Sequence, residues 1–186
     1  RGIARALNEQ KSVAWWDDSV LKITDAGVDL DFTDSNFGVF LTETYGHDEV
    51  YILNAENKPL YAFTGGARAD PSAFEQRRPA LQGTIGEARG TAPSKLKARP
   101  DTFGADQSNY RVLGGAVGVA RWAGHILSVN NKQAVAAALT IVPNVDMSLL
   151  KGAPNLLISV TYIDEDYVTG MGRALLLPDL AITSAP

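Results

Sequence analysis

The stretch Tyr45–Phe63 constrains the fold most, because it reads as a β-hairpin that cannot stand alone. Val50, Ile52 and Leu60 alternate with Tyr51, Leu53 and Tyr61 in two β-rich runs, and Asn54 to Pro59 supplies the polar turn between them. Two strands are marginal in water, so this hairpin needs partners from elsewhere in the chain. They lie far downstream, at Gln133–Val142 and Leu156–Ile163. The second of these is apolar on both faces except for Ser159 and Thr161, which marks a central strand. The expected fold is α+β, with one antiparallel sheet built from both ends of the chain and helices packed on it.

Another hairpin is expected where His125–Val129 and Gln133–Val142 flank Asn130-Asn131, a turn tolerant of left-handed backbone. Ala134, Ala136 and Ala138 fall on one face of its second strand; Val135, Ala137, Leu139 and Ile141 fall on the other. An alanine strip leaves space that a closely packed helix or a ligand fills.

The helices follow from 3.6-residue periodicity. Ala6, Val13, Trp16, Val20 and Ile23, with Ile3 on a nearby face, predict one amphipathic helix over residues 3 to 23, its sheet-facing stripe running through Trp16. Gly27 ends it, and a second helix starts near Asp31 with Thr33, Asp34 or Ser35 as cap and Phe37, Phe40 and Leu41 inward. A third follows Asp70-Pro71 to about Arg89, kinked or divided by Pro79. Residues 90 to 110 read as a long mobile loop, and Val112, Val117 and Val119 as a short strand. Helical turns are expected at Met147–Leu150 and after Asp164-Glu-Asp166, with a further strand at Leu175–Leu177.

With 186 residues, 45% of them hydrophobic, the chain can form one domain spanning residues 1–186. A net charge of −4 with scattered basic residues argues against a nucleic-acid surface. The absence of cysteine removes disulfides and thiolate chemistry. No apolar run reaches the ~18 to 20 residues of a membrane span. Arg1 opens in helical-looking sequence without methionine, which suggests a segment excised from a longer protein, with room for a membrane anchor outside each end.

Catalysis finds little support. The two histidines, His47 and His125, lie in different parts of the chain without metal-ligand spacing, so no metal and no cofactor are expected. No Gly-x-Ser-x-Gly element is present for nucleophilic chemistry, and Gly114-Gly115 with Gly118 do not make a nucleotide fingerprint. The chain is not expected to be an enzyme.

Ala14-Trp-Trp-Asp-Asp18, Asn36-Phe-Gly38, Tyr45-Gly-His-Asp48, Ile141-Val-Pro143 and Leu176-Leu-Pro-Asp-Leu180, taken in order, resemble the fourth class of CHASE domains. These are extracytoplasmic sensor modules of bacterial membrane receptors, related to the Cache and PAS-like group. The resemblance implies a five-stranded antiparallel sheet, a long N-terminal helix continuing from a transmembrane segment, and a return to the membrane after the last residues. It implies a periplasmic sensor that controls a diguanylate cyclase, phosphodiesterase or histidine kinase output. A homodimer in the full-length receptor is expected. Trp16 with Asp17 or Asp18 corresponds to the family's recurrent tryptophan–acid element.

A sensor needs a mostly apolar cavity with a few placed polar groups. Trp15, Trp16, Asp17, Tyr45, Tyr61, Ser159 and Thr161 supply them if the first helix lies across the sheet. An acid facing an aromatic wall favours a cationic ligand. The competing expectation is a protein-interaction or dimerisation module whose pocket is packed shut.

Overall fold

The computed structural model describes residues 2–92 and 121–174. The expectations for the 93–110 part of the loop, for Val112, Val117 and Val119, and for Leu175–Leu177 with the terminal Leu-Leu-Pro-Asp-Leu motif lie outside the described residues. The elements in order are α1 (Gly2–Ala14), α2 (Asp17–Lys22), a ribbon of β1 (Ile23–Thr24) and β2 (Gly27–Val28), and α3 (Leu30–Thr33) running into a π-helix at Asp34–Thr44. Then come β3 (Glu49–Leu53), β4 (Pro59–Thr64), β5 (Ala67–Ala69), a 3-10 turn at Pro71–Gln76 and α4 (Arg78–Arg89). After the undescribed stretch follow β6 (Trp122–Val129), β7 (Lys132–Thr140), a 3-10 turn at Met147–Leu149, β8 (Leu156–Tyr162) and α5 (Glu165–Ala174).

The main sheet has six strands in the order β5-β4-β3-β8-β7-β6. All neighbours are antiparallel. The early hairpin β3–β4 and the later hairpin β6–β7 are joined by β8, whose residues Leu156 to Val160 are buried. The sheet is therefore closed across its middle by the last of these strands in sequence. It holds one strand more than the five expected, because Thr64-Gly65-Gly66 turns back rather than leading out. Gly65 and Gly66 have φ of 62° and 77°, which lets β5 pair with β4.

Each face is covered. On one face α1 and the π-helix bury Leu7, Val13, Phe37 and Leu41 against Val50, Ile52, Tyr61, Val135, Ala137 and Leu139. On the other, α4 and the preceding turn bury Phe74, Leu81, Ile85 and Ala88 against Tyr51, Leu53 and Ile158. The alanine strip Ala134, Ala136, Ala138 lies under α4, so a helix fills the space it leaves. Small residues allow that close approach. Asn130 and Asn131 turn β6 into β7 with φ of 50° and 61°, in the left-handed region asparagine tolerates.

Two helical expectations need correction. The first helix is not continuous over residues 3 to 23: it breaks at Trp15-Trp16, where Trp16 adopts an extended φ of −156° and ψ of 136°. Helical bonding there is replaced by a bridge to the downstream chain, with Val142 N–H donating to Ala14 O and Trp16 N–H to Val142 O, both at 3.0 Å. Trp15 is consequently the more buried indole, at 5% exposure. The second helix starts earlier than expected, at Leu30, because Asp29 is the cap and accepts from Phe32 N–H at 3.0 Å. Its continuation is a π-helix rather than an α-helix. Within it Asn36 and Thr42 donate from their side chains to carbonyls four residues back, at Phe32 and Gly38, competing for acceptors an α-helix would use.

Candidate functional site

Two of the motifs that carry the sequence resemblance meet in space, Ala14-Trp-Trp-Asp-Asp18 and Ile141-Val-Pro143, and together with Asn36-Phe-Gly38 they serve packing. At the break between α1 and α2 the Asp17 carboxylate accepts backbone N–H groups of Asn144 at 2.9 Å, Val145 at 3.0 Å and Asp146 at 3.1 Å. Partial desolvation opposes ionisation there, yet the three N–H donors prevail and hold the carboxyl below its ordinary range. Asp17 therefore fastens the loop that follows Ile141-Val-Pro143 to the helix break. Trp16 packs on Phe32 with ring centroids 5.2 Å apart. Asn36-Phe-Gly38 performs a similar task in the π-helix: Phe37 is fully buried, and a Cβ on Gly38 would stand 2.5 Å from the Tyr61 hydroxyl.

Tyr61 and Ser159 are engaged within the fold. Tyr61 is 1% exposed and its hydroxyl donates to Asp34 Oδ1 at 2.8 Å. Burial and that carboxylate push the phenol pKa up. Ser159 is buried beneath α1, where Gln10 Nε2 donates to its Oγ at 2.9 Å and to Ala137 O at 3.0 Å.

Tyr45 and Thr161 come together elsewhere, at a cleft of about 330 Å³. One wall is the first half of α1, with Gly2, Arg5, Ala6 and Glu9; another is α5, with Asp166, Tyr167 and Gly170. Tyr45, Gly46 and Asp48 close it from the helix-to-strand turn, and Val135, Thr161, Tyr162 and Asp164 form the sheet side. Trp15, Trp16, Asp17, Tyr61 and Ser159 do not line it. Of the seven residues expected at a site, the structure thus brings Tyr45 and Thr161 to this cleft.

The electrostatics of the cleft are uneven. Glu9 is fully occupied: Arg5 Nε donates to its Oε1 at 2.6 Å, and the buried His47 donates from Nε2 to its Oε2 at 2.9 Å. Asp48 accepts Tyr162 N–H at 2.7 Å through Oδ2, and Asp164 accepts Tyr167 N–H at 2.8 Å through Oδ1. Among the described residues no cationic side chain pairs with Asp48, Asp164 or Asp166. Desolvation, together with the nearby charges of Asp164 and Glu49, raises the Asp48 pKa despite the Tyr162 N–H. Burial likewise raises that of the Tyr167 phenol.

The sequence pattern did not single out Asp48, Glu9, Tyr162 or Tyr167 as lining residues. Asp48 was visible within Tyr45-Gly-His-Asp48, and the Arg5–Glu9 pair in its four-residue spacing on a helix. The closing of α5 onto α1 had no local signal. A larger groove of about 530 Å³ lies between residues 20–25 and 149–155, and none of the seven expected site residues lines it.

No group of three or more His, Cys, Asp or Glu suited to a metal occurs among the described residues. A helix-covered antiparallel sheet with a cleft between its first and last described helices is an α+β domain. The family comparison agrees: the CHASE4 domain model matches residues 3–183, and the chain belongs to that family of extracellular sensory domains. No curated protein matches the chain. No helix among the described residues is long and apolar enough to cross a membrane.

Proposed function

We propose that this chain is the ligand-sensing extracytoplasmic part of a bacterial membrane receptor, acting on a diguanylate cyclase, phosphodiesterase or histidine kinase output. The observation that carries this reading is the position of the cleft. It lies between α1 and α5, the first and last described helices, which in the proposed receptor would carry the connections to the membrane. A molecule seated there contacts both helices at once. If it binds one spacing of α1 and α5 better than another, it shifts the population between them; equal affinity for both would shift nothing. The contact is already close, since a Cβ on Gly2 would meet the Tyr167 hydroxyl. A PAS-like, Cache-related arrangement is supported by the five longer antiparallel strands with the last of them, β8, at the centre.

The test is a thermal-unfolding screen against amines, amino acids, organic acids and nucleotides, followed by amide chemical-shift mapping of any hit. A ligand at about 100 times its Kd raises Tm by roughly 5 to 10 °C for a domain of this size. The expected map runs along α1, α5 and the Tyr45–Asp48 turn. A screen with no hit in any class, or hits confined to surfaces remote from both helices, sinks the sensor reading at this cleft.

A further inference from the structure

We propose that the cleft between α1 and α5 selects a small organic cation, an amine-bearing molecule whose ammonium is held by Asp48 while the rings of Tyr45 and Tyr167 flank its carbon skeleton. This deepens the sensor reading and rests on it.

The chemistry follows from how charge is satisfied around the cavity. Among the described residues the lining contains four carboxylates, on Glu9, Asp48, Asp164 and Asp166, and one cation, Arg5. That guanidinium is committed to Glu9, and His47 holds the same carboxylate from behind. The remaining three carboxylates have backbone donors at most. Asp48 stands where the turn enters β3, bonded to the end of β8 and exposed, and its charge is opposed by partial desolvation and by neighbouring acids. A cation in the cleft removes that penalty, whereas an anion adds to it.

Shape and surface favour an organic cation over a bare metal ion. A hard metal needs several carboxylate or carbonyl oxygens converging at about 2.3–2.6 Å, and no such cluster occurs among the described residues. The cavity instead is lined by Tyr45, Tyr167 and Val135, residue types suited to methylene groups and, for the two tyrosines, to cation–π attraction. Its volume of about 330 Å³ sits at the small end of ligand pockets, enough for a molecule of a few to about a dozen heavy atoms. Lys132 already lies over the Tyr162 ring at 5.6 Å, which leaves Tyr45 and Tyr167 as the aromatic walls.

The closing experiment uses three probe sets on the isolated chain: choline, putrescine and ethanolamine; 3,3-dimethylbutanol as the uncharged isostere of choline; and acetate and succinate. Calorimetry and Tm are read for the wild type, Asp48→Asn and Gly170→Leu. The amide oxygen introduced by Asp48→Asn can still accept the Tyr162 N–H, so this substitution removes charge while keeping that bond. Gly170 lines the cleft and a Cβ there meets nothing within 4 Å, so the position accepts a side chain, and leucine is chosen to narrow the cavity.

At least one amine is expected to bind and raise Tm, with affinity falling tenfold or more in Asp48→Asn and binding lost in Gly170→Leu. The butanol and the acids are expected to leave Tm unchanged. Equal binding of choline and its neutral isostere, amine binding indifferent to Asp48→Asn, or no shift with any amine overturns the cationic assignment. If an acid binds instead and Gly170→Leu abolishes it, the cation assignment fails while the cleft remains a sensing site. Absence of binding throughout the wider screen removes both.

Discussion

The Asp17 carboxylate accepts the Val145 backbone N–H at 3.0 Å across 128 positions of sequence, tying the break between α1 and α2 to the end of the sheet. Two stretches that look like independent motifs are one joint. The Trp-Trp pair interrupts the helix so that Val142 can bridge to Trp15, and Asp17 then gathers the three N–H groups that the following loop leaves open.

Asp17→Ala is expected to cost about 1 kcal/mol at neutral pH, a discounted figure for charge-assisted bonds at a partly exposed site. Because the folded carboxyl is held below its unfolded value, this contribution is fully present above the unfolded pKa near 4. It is lost as pH falls through the folded pKa. Urea unfolding of wild type and variant at pH 7 and pH 3 checks this. A gap that stays constant between those two values contradicts it. Binding at the α1–α5 cleft should survive in this variant, as it should in Trp16→Ala.

Gly38→Ala tests the close approach of the π-helix to the β3–β4 hairpin. The new methyl group would press on the Tyr61 hydroxyl and the Phe63 ring, two large groups already locked by burial and, for Tyr61, by its bond to Asp34. Overpacking of this kind costs about 1–3 kcal/mol. A drop in urea midpoint with an unchanged m-value is expected. An unchanged midpoint means the helix slides away at no cost.

The sheet was legible in the sequence because its strands are long and strongly patterned. Val50 to Leu53 and, apart from Ser159, Leu156 to Val160 are apolar on both faces, and they proved to be neighbours at the middle of the sheet. The alternation in Lys132–Thr140 correctly separated Ala134, Ala136 and Ala138 from Val135, Ala137 and Leu139. What periodicity could not show was the break at Trp15-Trp16, since its cause lies at Val142, and the π winding of Asp34–Thr44, where the buried Phe37 and Leu41 keep the four-residue spacing that an α-helix also gives. The site was less legible for the same reason. Trp15, Trp16 and Asp17 have the residue types of a binding wall, but their partners come from the loop after β7. The cleft forms where α5 returns to α1, a juxtaposition fixed only by the whole sheet.

The buried Glu49 and the half-buried Arg77 form the most heavily bonded ion pair on the α4 face. Arg77 donates to both Glu49 oxygens, with Nε to Oε2 at 2.9 Å and Nη2 to Oε1 at 2.9 Å, while Tyr51 and Tyr162 each donate at 2.8 Å. Desolvation alone would raise the Glu49 pKa, but these four donors bring it below the ordinary value. Arg77→Met leaves a buried carboxylate without its countercharge and is expected to cost about 3 kcal/mol. The double variant Arg77→Met, Glu49→Gln should recover part of that loss. If the double variant is no more stable than the single one, the cost arises from lost packing of the arginine stem.

The same cluster predicts an alkaline limit. Burial first, then the hydrogen bond to Glu49, pushes the Tyr162 phenol up to about 12, and Tyr51 and Tyr61 are raised further for the same kinds of reason. An unfolded phenol loses its proton near pH 10, whereas these folded ones keep theirs. Between pH 10 and 12 the unfolded chain therefore binds fewer protons, and stability must fall as pH rises, by about 1.4 kcal/mol per unit for each phenol that remains protonated. Tyr162→Phe removes one such proton. The variant is expected to start less stable at pH 8, through the lost bond to Glu49, and to decline less steeply above pH 10. Urea titrations at half-unit steps from pH 8 to 11.5 measure both effects. Parallel declines in the two proteins would mean that Tyr162 titrates as an ordinary exposed phenol, and that its bond to Glu49 does not hold in solution.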